Sequence, residues 1–294
     1  MKQKLSIGSE LFVVFNYIFL IGTFFICFLP LVHVLAVSLS SSEAAMAGEV
    51  KFWPVDFTTK SYEFVINKPD FILSFGVTLK RVLLGVPLNM LLTILIAYPL
   101  SKETKDFRCR SFYTWFFLIT ILFSGGLIPY FMVVKTVGII DTIWALVLPG
   151  AVPVFNVILL LNFFRELPRE IEESAFIDGA SYLTVLWKMY IPLSKPALAT
   201  LTLFVLVNHW NAWFDGILFM NSTKNYPLQS FLQNVIVNRD LTLIALTDLN
   251  SLSQINERTS RAAQIVLATV PILAVYPFLQ KYFVKGIVMG SIKG

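Results

Sequence analysis

Six apolar stretches dominate this chain. Each is long enough to cross the roughly 30 Å hydrocarbon core of a bilayer as a helix rising about 1.5 Å per residue. They are Leu11–Val37, Val82–Leu100, Phe112–Val134, Ile143–Phe164, Ala197–Met220 and Ala262–Phe283. Lipid gives backbone amides no partner, so each stretch is expected to be helical. The expected fold is a single all-α polytopic membrane domain, residues 1–294, with six transmembrane helices. The composition agrees: 56% of residues are hydrophobic and 14% charged, too few polar side chains to coat a soluble domain of this length. The first stretch exceeds the about 7–15 apolar residues of a signal peptide, so it reads as an uncleaved span.

Two details refine the spans. Lys80 and Arg81 would be costly in mid-bilayer, so the second span is expected to start after them, with 61–79 as an interfacial or packed external segment. Pro30, Pro87, Pro129, Pro153 and Pro271 fall inside spans and should kink them.

Lys and Arg set the orientation. With the N-terminus inside, the inner segments carry thirteen and the outer segments eight, although the outer loops are longer. Both termini are therefore expected in the cytoplasm. The net charge of +5 has the same origin, and no basic face with interleaved aromatics suggests nucleic acid. Cys27 and Cys109 have no metal or redox spacing and read as free thiols.

One cytoplasmic segment is out of character. Between Glu166 and Asp178 lie five carboxylates: Glu166, Glu170, Glu172, Glu173 and Asp178. Pro168 suits a first helical turn, and the acids suit a helix N-terminus. Gly179 can end that helix in the left-handed conformation, and Ser181 can cap a second helix that Pro192 stops. Residues 165–195 thus read as helix, turn, helix outside the bilayer. On a helical wheel Ser174, Asp178, Ile171 and Ala175 share one side, with Glu173, Arg169 and Ile177 toward the other. A solvated connector with ordinary caps fits this pattern. A docking element, with small residues and a charged rim seated in a partner's groove, fits it too.

The run EESAFIDGASYLTVLWKMYIPLSKP resembles the EAA motif of bacterial ABC-importer permeases. Glu173-Ser174-Ala175 takes the EAA place, with Ser for the first Ala; Asp178-Gly179-Ala180 and Ile191-Pro192 complete the pattern. FSGGLIPYFMVVKTVGIIDTIWALVLPG, NHWNAWFDGILF and YFVKGIVMGSIKG extend the resemblance over most of the chain. It is similar to the smaller permease of a pair in the maltose-type carbohydrate uptake family, within its lipoprotein-dependent polysaccharide subgroup.

That resemblance implies a type I importer fold with a cytoplasmic coupling helix in the bacterial cytoplasmic membrane. It implies these partners: a second homologous permease, two ATPase subunits, an extracytoplasmic solute-binding lipoprotein and an oligosaccharide substrate. Glu173, Ser174, Ala175, Asp178 and Gly179 would form the contact with the ATPase, with Glu173 pairing with one of its basic residues. ATP and magnesium would sit on the ATPase, and this chain would bind no cofactor. Consistent with that division, no GxxxxGK[ST] pattern occurs.

For the translocation path, Asn208, Asn211 and Asp215 have the spacing of one helix face, and Trp210 lies beside them. Tyr130, Asn89 and Asn156 are weaker candidates. Polar groups in lipid turn toward an interior cavity, or else bond neighbouring helices. His33, alone in an apolar span, reads as structural. The outer loop 221–261 is long and polar enough to meet a binding protein or to form an external cap. An intramembrane enzyme lacks support: HExxH is absent, and the two histidines lie far apart. A proton-coupled secondary sugar transporter is the other class, and it would need a carboxylate relay beyond Asp215.

Overall fold

The computed structural model describes residues 7–237 and 257–291. Among them every regular element is helical, and no strand occurs. Lys2 and Lys4, residues 238–256 of the outer loop, and residues 292–294 lie outside the described residues. By its contacts the chain divides into two units.

The first unit joins Met1–Pro69 to Val235–Thr269. Helix α1 (Ile7–Ser38) holds the first apolar run, and no described residue of this unit covers its most apolar window. Its Leu, Ile and Phe side chains project outward, as lipid requires. Among the described residues of this unit, its last turns pack: Ala36 and Val37 meet Ala44 and Ala45 of α2 (Ser42–Ala47), Val50 and Ala262. Ser41 caps α2 by accepting from the Ala44 amide, and Gly48 ends it at φ 73°. His33 is structural as expected: its Nδ1 donates to the Lys51 carbonyl at 2.7 Å. Part of the expected external segment is a short helix, α3 (Lys60–Ile66), tied to α1 by a 2.7 Å bond between Tyr62 Oη and Ser38 Oγ.

The second unit comprises Asp70–Asn234 and Val270–Gly294. Here the structure corrects the expected spans. Helix α4 (Pro69–Ser101) does not begin after Lys80 and Arg81 but runs through them. Lys80 stays exposed while Arg81 is buried, because Arg81 has an acid to meet, as described below.

Three further spans are not single helices. Phe112–Val134 is α5 (Arg110–Leu122) and α6 (Leu127–Thr136), bent by 117° across the FSGG sequence, with Gly126 at φ 84°. Ile143–Phe164 is α7 (Ile143–Val147), an irregular stretch ending at Pro153, and α8 (Val154–Glu166). Ala197–Met220 is α12 (Lys195–Asn211) and α13 (Phe214–Phe219).

A break at membrane depth frees backbone groups that need partners. They find them in polar side chains. Asn89 of α4 donates to the Gly150 carbonyl at 3.2 Å, Ser124 accepts from the Gly126 amide at 3.2 Å, and Ser230 donates to the Trp213 carbonyl at 2.6 Å. Among the described residues, two helices are thus long and apolar enough to cross a membrane alone, Leu11–Ser38 and Pro69–Ser101; the bent pair α5–α6 is a further candidate crossing. The described chain closes with α14 (Leu228–Val237) and α15 (Glu257–Ser291), which contains Pro271 and Pro277.

Candidate functional site

The helix–turn–helix forms as the sequence leads one to expect, except that its second helix is not stopped by Pro192 but runs through it to Leu193. Helix α9 (Arg169–Ile177) carries Glu170 and Glu172 in its first turn. Gly179 sits at φ 79°, and the Ala180 amide reaches back to the Ala175 carbonyl at 2.9 Å. A Cβ at Gly179 would meet no neighbour, so only the backbone excludes larger residues there, at a cost of about 1–2 kcal/mol. Ser181 then caps α10 (Tyr182–Val185), which passes through a π-helical turn (Leu186–Tyr190) into α11 (Ile191–Leu193). The next helix, α12, leaves at 83° to this run.

The faces of α9 differ from the helical wheel. Glu173, Ser174, Ile177, Asp178 and Gly179 are exposed, so the charged and small residues form one open surface. Ala175 lies on the opposite side, 2% exposed, in a core shared with Leu160 and Phe164 of α8 and with Val185, Leu186 and Tyr190. Its small size serves close packing within the chain, so it is not available as a contact for another protein. Ser174 Oγ donates to the Ile171 carbonyl at 3.0 Å.

Glu172, which the sequence did not single out, turns inward. Its Oε1 accepts from Lys102 Nζ at 2.6 Å and its Oε2 from Tyr190 Oη at 2.7 Å. Burial pushes the Lys102 ammonium below its usual range, and the Glu172 carboxylate opposes that shift.

The second group of candidates lies around the break between α12 and α13. Asn208, Asn211 and Asp215 do not share one helix face, because α12 ends at Asn211. Asn208 and Asn211 are exposed. Trp210 is buried, packed edge-to-face on Phe75 with centroids 5.9 Å apart, so it lines no open surface. Asn89 is also buried and serves the Gly150 break. Asn156 is buried as well, whereas Tyr130 is 42% exposed and stands against Phe219.

Asp215 meets Arg81. The guanidinium grips the carboxylate in a fork, Nη1 to Oδ1 at 3.0 Å and Nη2 to Oδ2. Arg81 Nε also donates to His209 Nδ1 at 3.3 Å, and Nη1 to the Ala212 carbonyl at 3.4 Å. One buried cation therefore holds the end of α12, the break and the start of α13 against α4.

A helical membrane chain with broken spans, an intramembrane ion pair and a projecting helix–turn–helix is built as a transport permease. The chain belongs to the family described as the binding-protein-dependent transport system inner membrane component, whose profile matches residues 70–289. It is 42% identical over 289 residues to Protein LplC of Bacillus subtilis (strain 168), covering 98% of this chain and 96% of the relative. It is 38% identical over 286 residues to the polygalacturonan/rhamnogalacturonan transport system permease protein YtcP of the same organism, covering 97% and 99%. Among solved structures, it superposes with a TM-score of 0.88 and 31% identity on a chain of a bacterial ABC transporter involved in the import of the acidic polysaccharide alginate, covering 96% of this chain and all of that one. The chain is thus a membrane-embedded ABC transport permease rather than an enzyme, and the family does not favour a secondary carrier.

Proposed function

We propose that this chain is one half of the translocation path of an ATP-driven importer of oligosaccharides, and that α9 through α11 couple it to a separate ATPase. The observation that carries the coupling assignment is the exposed face of α9 and its turn: Glu173, Ser174, Ile177, Asp178 and Gly179 project from a segment whose other side is packed into the chain's core. Ile177 is 86% exposed, an apolar side chain suited to burial in a partner's groove. The partners of this reading are a second permease, two ATPase subunits that hold ATP and magnesium, and an extracytoplasmic binding lipoprotein. Both termini and the α9–α11 segment then lie in the cytoplasm. The named cargoes of YtcP and of the alginate transporter support glycans containing uronic acids as the substrate class.

Glu173→Ala tests the coupling surface. It should release the ATPase subunits from the purified complex, weakening docking by about 1.5–3 kcal/mol, the value of one charge-assisted hydrogen bond. Full retention of the ATPase together with wild-type uptake would remove Glu173 from the interface.

Asn208, Asn211 and Tyr130 are the candidates for the path wall, since Trp210 and Asn89 are spent on packing. Single cysteines at positions 208 and 211, in a background lacking Cys27 and Cys109, should react with a small impermeant thiol reagent in the assembled transporter. A cysteine at buried Val205 should stay silent. Equal silence at 208 and 211 would assign both asparagines to helix–helix contacts.

A further inference from the structure

Adjacent carboxylates on α9 have opposite surroundings. Glu173 points into the open, while the Glu172 side chain is only 14% exposed. Its partner Lys102 follows directly on the last residue of α4, and its side chain is 8% exposed. Lys102 is enclosed on three sides. Glu172 takes one proton at 2.6 Å, Tyr190 Oη lies at 3.1 Å, and the ammonium sits over the Tyr98 and Tyr190 rings, 4.0 and 4.2 Å from their centroids. Tyr190 completes the circuit by donating to the other Glu172 oxygen at 2.7 Å. Tyr98 and Tyr190 pack edge-to-face at 5.1 Å, and both touch Phe164 of α8 in the same way.

We propose that the Lys102–Glu172–Tyr190 clasp is the joint through which motion of α9 is delivered to α4, so that Glu172 is a positioning residue for coupling. The proposal rests on the reading of α9 as the ATPase contact and adds the path by which its movement leaves the surface.

Three observations single out this clasp. First, it is the buried member of a set of ties between the α9 region and the cytoplasmic-side end of α4. The others are the exposed Arg169–Glu103 pair and the Arg165 Nη2 bond to the Leu100 carbonyl at 3.2 Å. Exposed pairs are screened by salt and yield easily; a buried, forked and doubly hydrogen-bonded carboxylate does not. Second, it spans three elements: α4 through Lys102, α9 through Glu172, and the π-helical turn through Tyr190. A displacement of α9 therefore cannot leave the end of α4 and the π-helical turn behind without stranding a buried charge. Third, α4 runs as one continuous helix from this joint to Arg81 and the break between α12 and α13, so a single element connects the clasp with the intramembrane ion pair.

The test uses the full complex of both permeases, the ATPases and the binding protein, reconstituted in proteoliposomes with an oligogalacturonide as the transport probe. Glu172→Gln keeps the shape of the side chain and removes its charge. The ATPase should remain bound, in contrast to Glu173→Ala. Sugar imported per ATP hydrolysed should fall about tenfold, the worth of one buried charge-assisted hydrogen bond. Electron-paramagnetic distances between labels at positions 105 and 170, both exposed and both outside the proposed ATPase contact, should change from one narrow population to a broad one. The exchange of Lys102→Glu with Glu172→Lys restores the pair in reverse and should recover coupling.

Tyr190→Phe removes one hydroxyl and keeps the ring. It should lower the same ratio severalfold, and it decides the matter if Glu172→Gln fails to accumulate. Wild-type sugar-to-ATP ratios in the accumulating variant would overturn the proposal. If the oligogalacturonide is not carried by the wild type, binding-protein stimulation of ATP hydrolysis replaces the ratio, with its loss expected and its preservation contrary. A silent Glu173→Ala with a decoupled Glu172→Gln would instead relocate the ATPase contact while leaving the clasp in place.

Discussion

Arg81→Met should be among the most damaging single substitutions in this chain, lowering the stability of the detergent-solubilised permease by about 3–5 kcal/mol. Arg81 is 4% exposed and the Asp215 side chain 22% exposed, so neither charge has full access to water. Removing the guanidinium takes away both arms of the fork and leaves Asp215 as a carboxylate without its counterion. It also deprives His209 Nδ1 and the Ala212 carbonyl of a donor. The last of these matters because α12 has ended one residue earlier, and the backbone at the break depends on outside partners.

The cause can be separated from lost packing by removing the second charge. Arg81→Met combined with Asp215→Leu leaves no buried ion, and apolar replacements of buried pairs are often close to neutral in stability. The double variant should therefore melt well above Arg81→Met alone in a thermal unfolding scan, while transport stays impaired because the break is no longer pinned. Equal melting of the single and double variants would show that Asp215 does not depend on Arg81.

This pair also marks the limit of what the sequence discloses. The apolar stretches are legible because lipid imposes length and helicity, and α1 matches its stretch closely. Lys80-Arg81 misleads, because the cost of a charge was judged against lipid alone. Its neutralising partner, Asp215, lies 134 positions away in the sequence, and only the fold brings them together. A signal was present: Arg81 and Asp215 are rare charges of opposite sign in or beside apolar stretches, and such charges pair.

The breaks were harder to read. FSGG and Pro153 announce two of them, but Asn-Ala-Trp between α12 and α13 is unremarkable as sequence, and its geometry is held by Arg81 and Ser230 from elsewhere. At the projecting segment, local chemistry was sufficient to find the turn at Gly179 and the cap at Ser181. It could not tell Glu172 from Glu173, because that distinction depends on Lys102 and Tyr190 lying beneath one of them.

The second large effect is expected at Gly85, one turn beyond Arg81 on the same helix. A Cβ built there would stand 2.5 Å from His209 Nε2, 2.6 Å from Cε1 and 3.0 Å from Cδ2, closer than unbonded atoms tolerate. The imidazole is not free to swing aside, because Arg81 Nε holds its Nδ1 and the ring is buried. Gly85→Val must therefore push α12 away from α4, and forcing extra methyl groups into a packed site costs about 1–3 kcal/mol or more. Gly76 provides the control: it lies in the same helix with no atom within 4 Å of its Cβ position, so Gly76→Val carries the β-branched propensity term without the clash. Gly85→Val should melt markedly lower than Gly76→Val. His209→Ala opens the space a valine needs, so Gly85→Val should cost much less when introduced into the His209→Ala protein than into the wild type. Each is to be compared with its own parent, since His209→Ala removes a bond of its own. If the two costs are equal, the approach of α4 to α12 is not set by this ring. The contact then contributes nothing to holding α12 at the distance where Arg81 can reach Asp215.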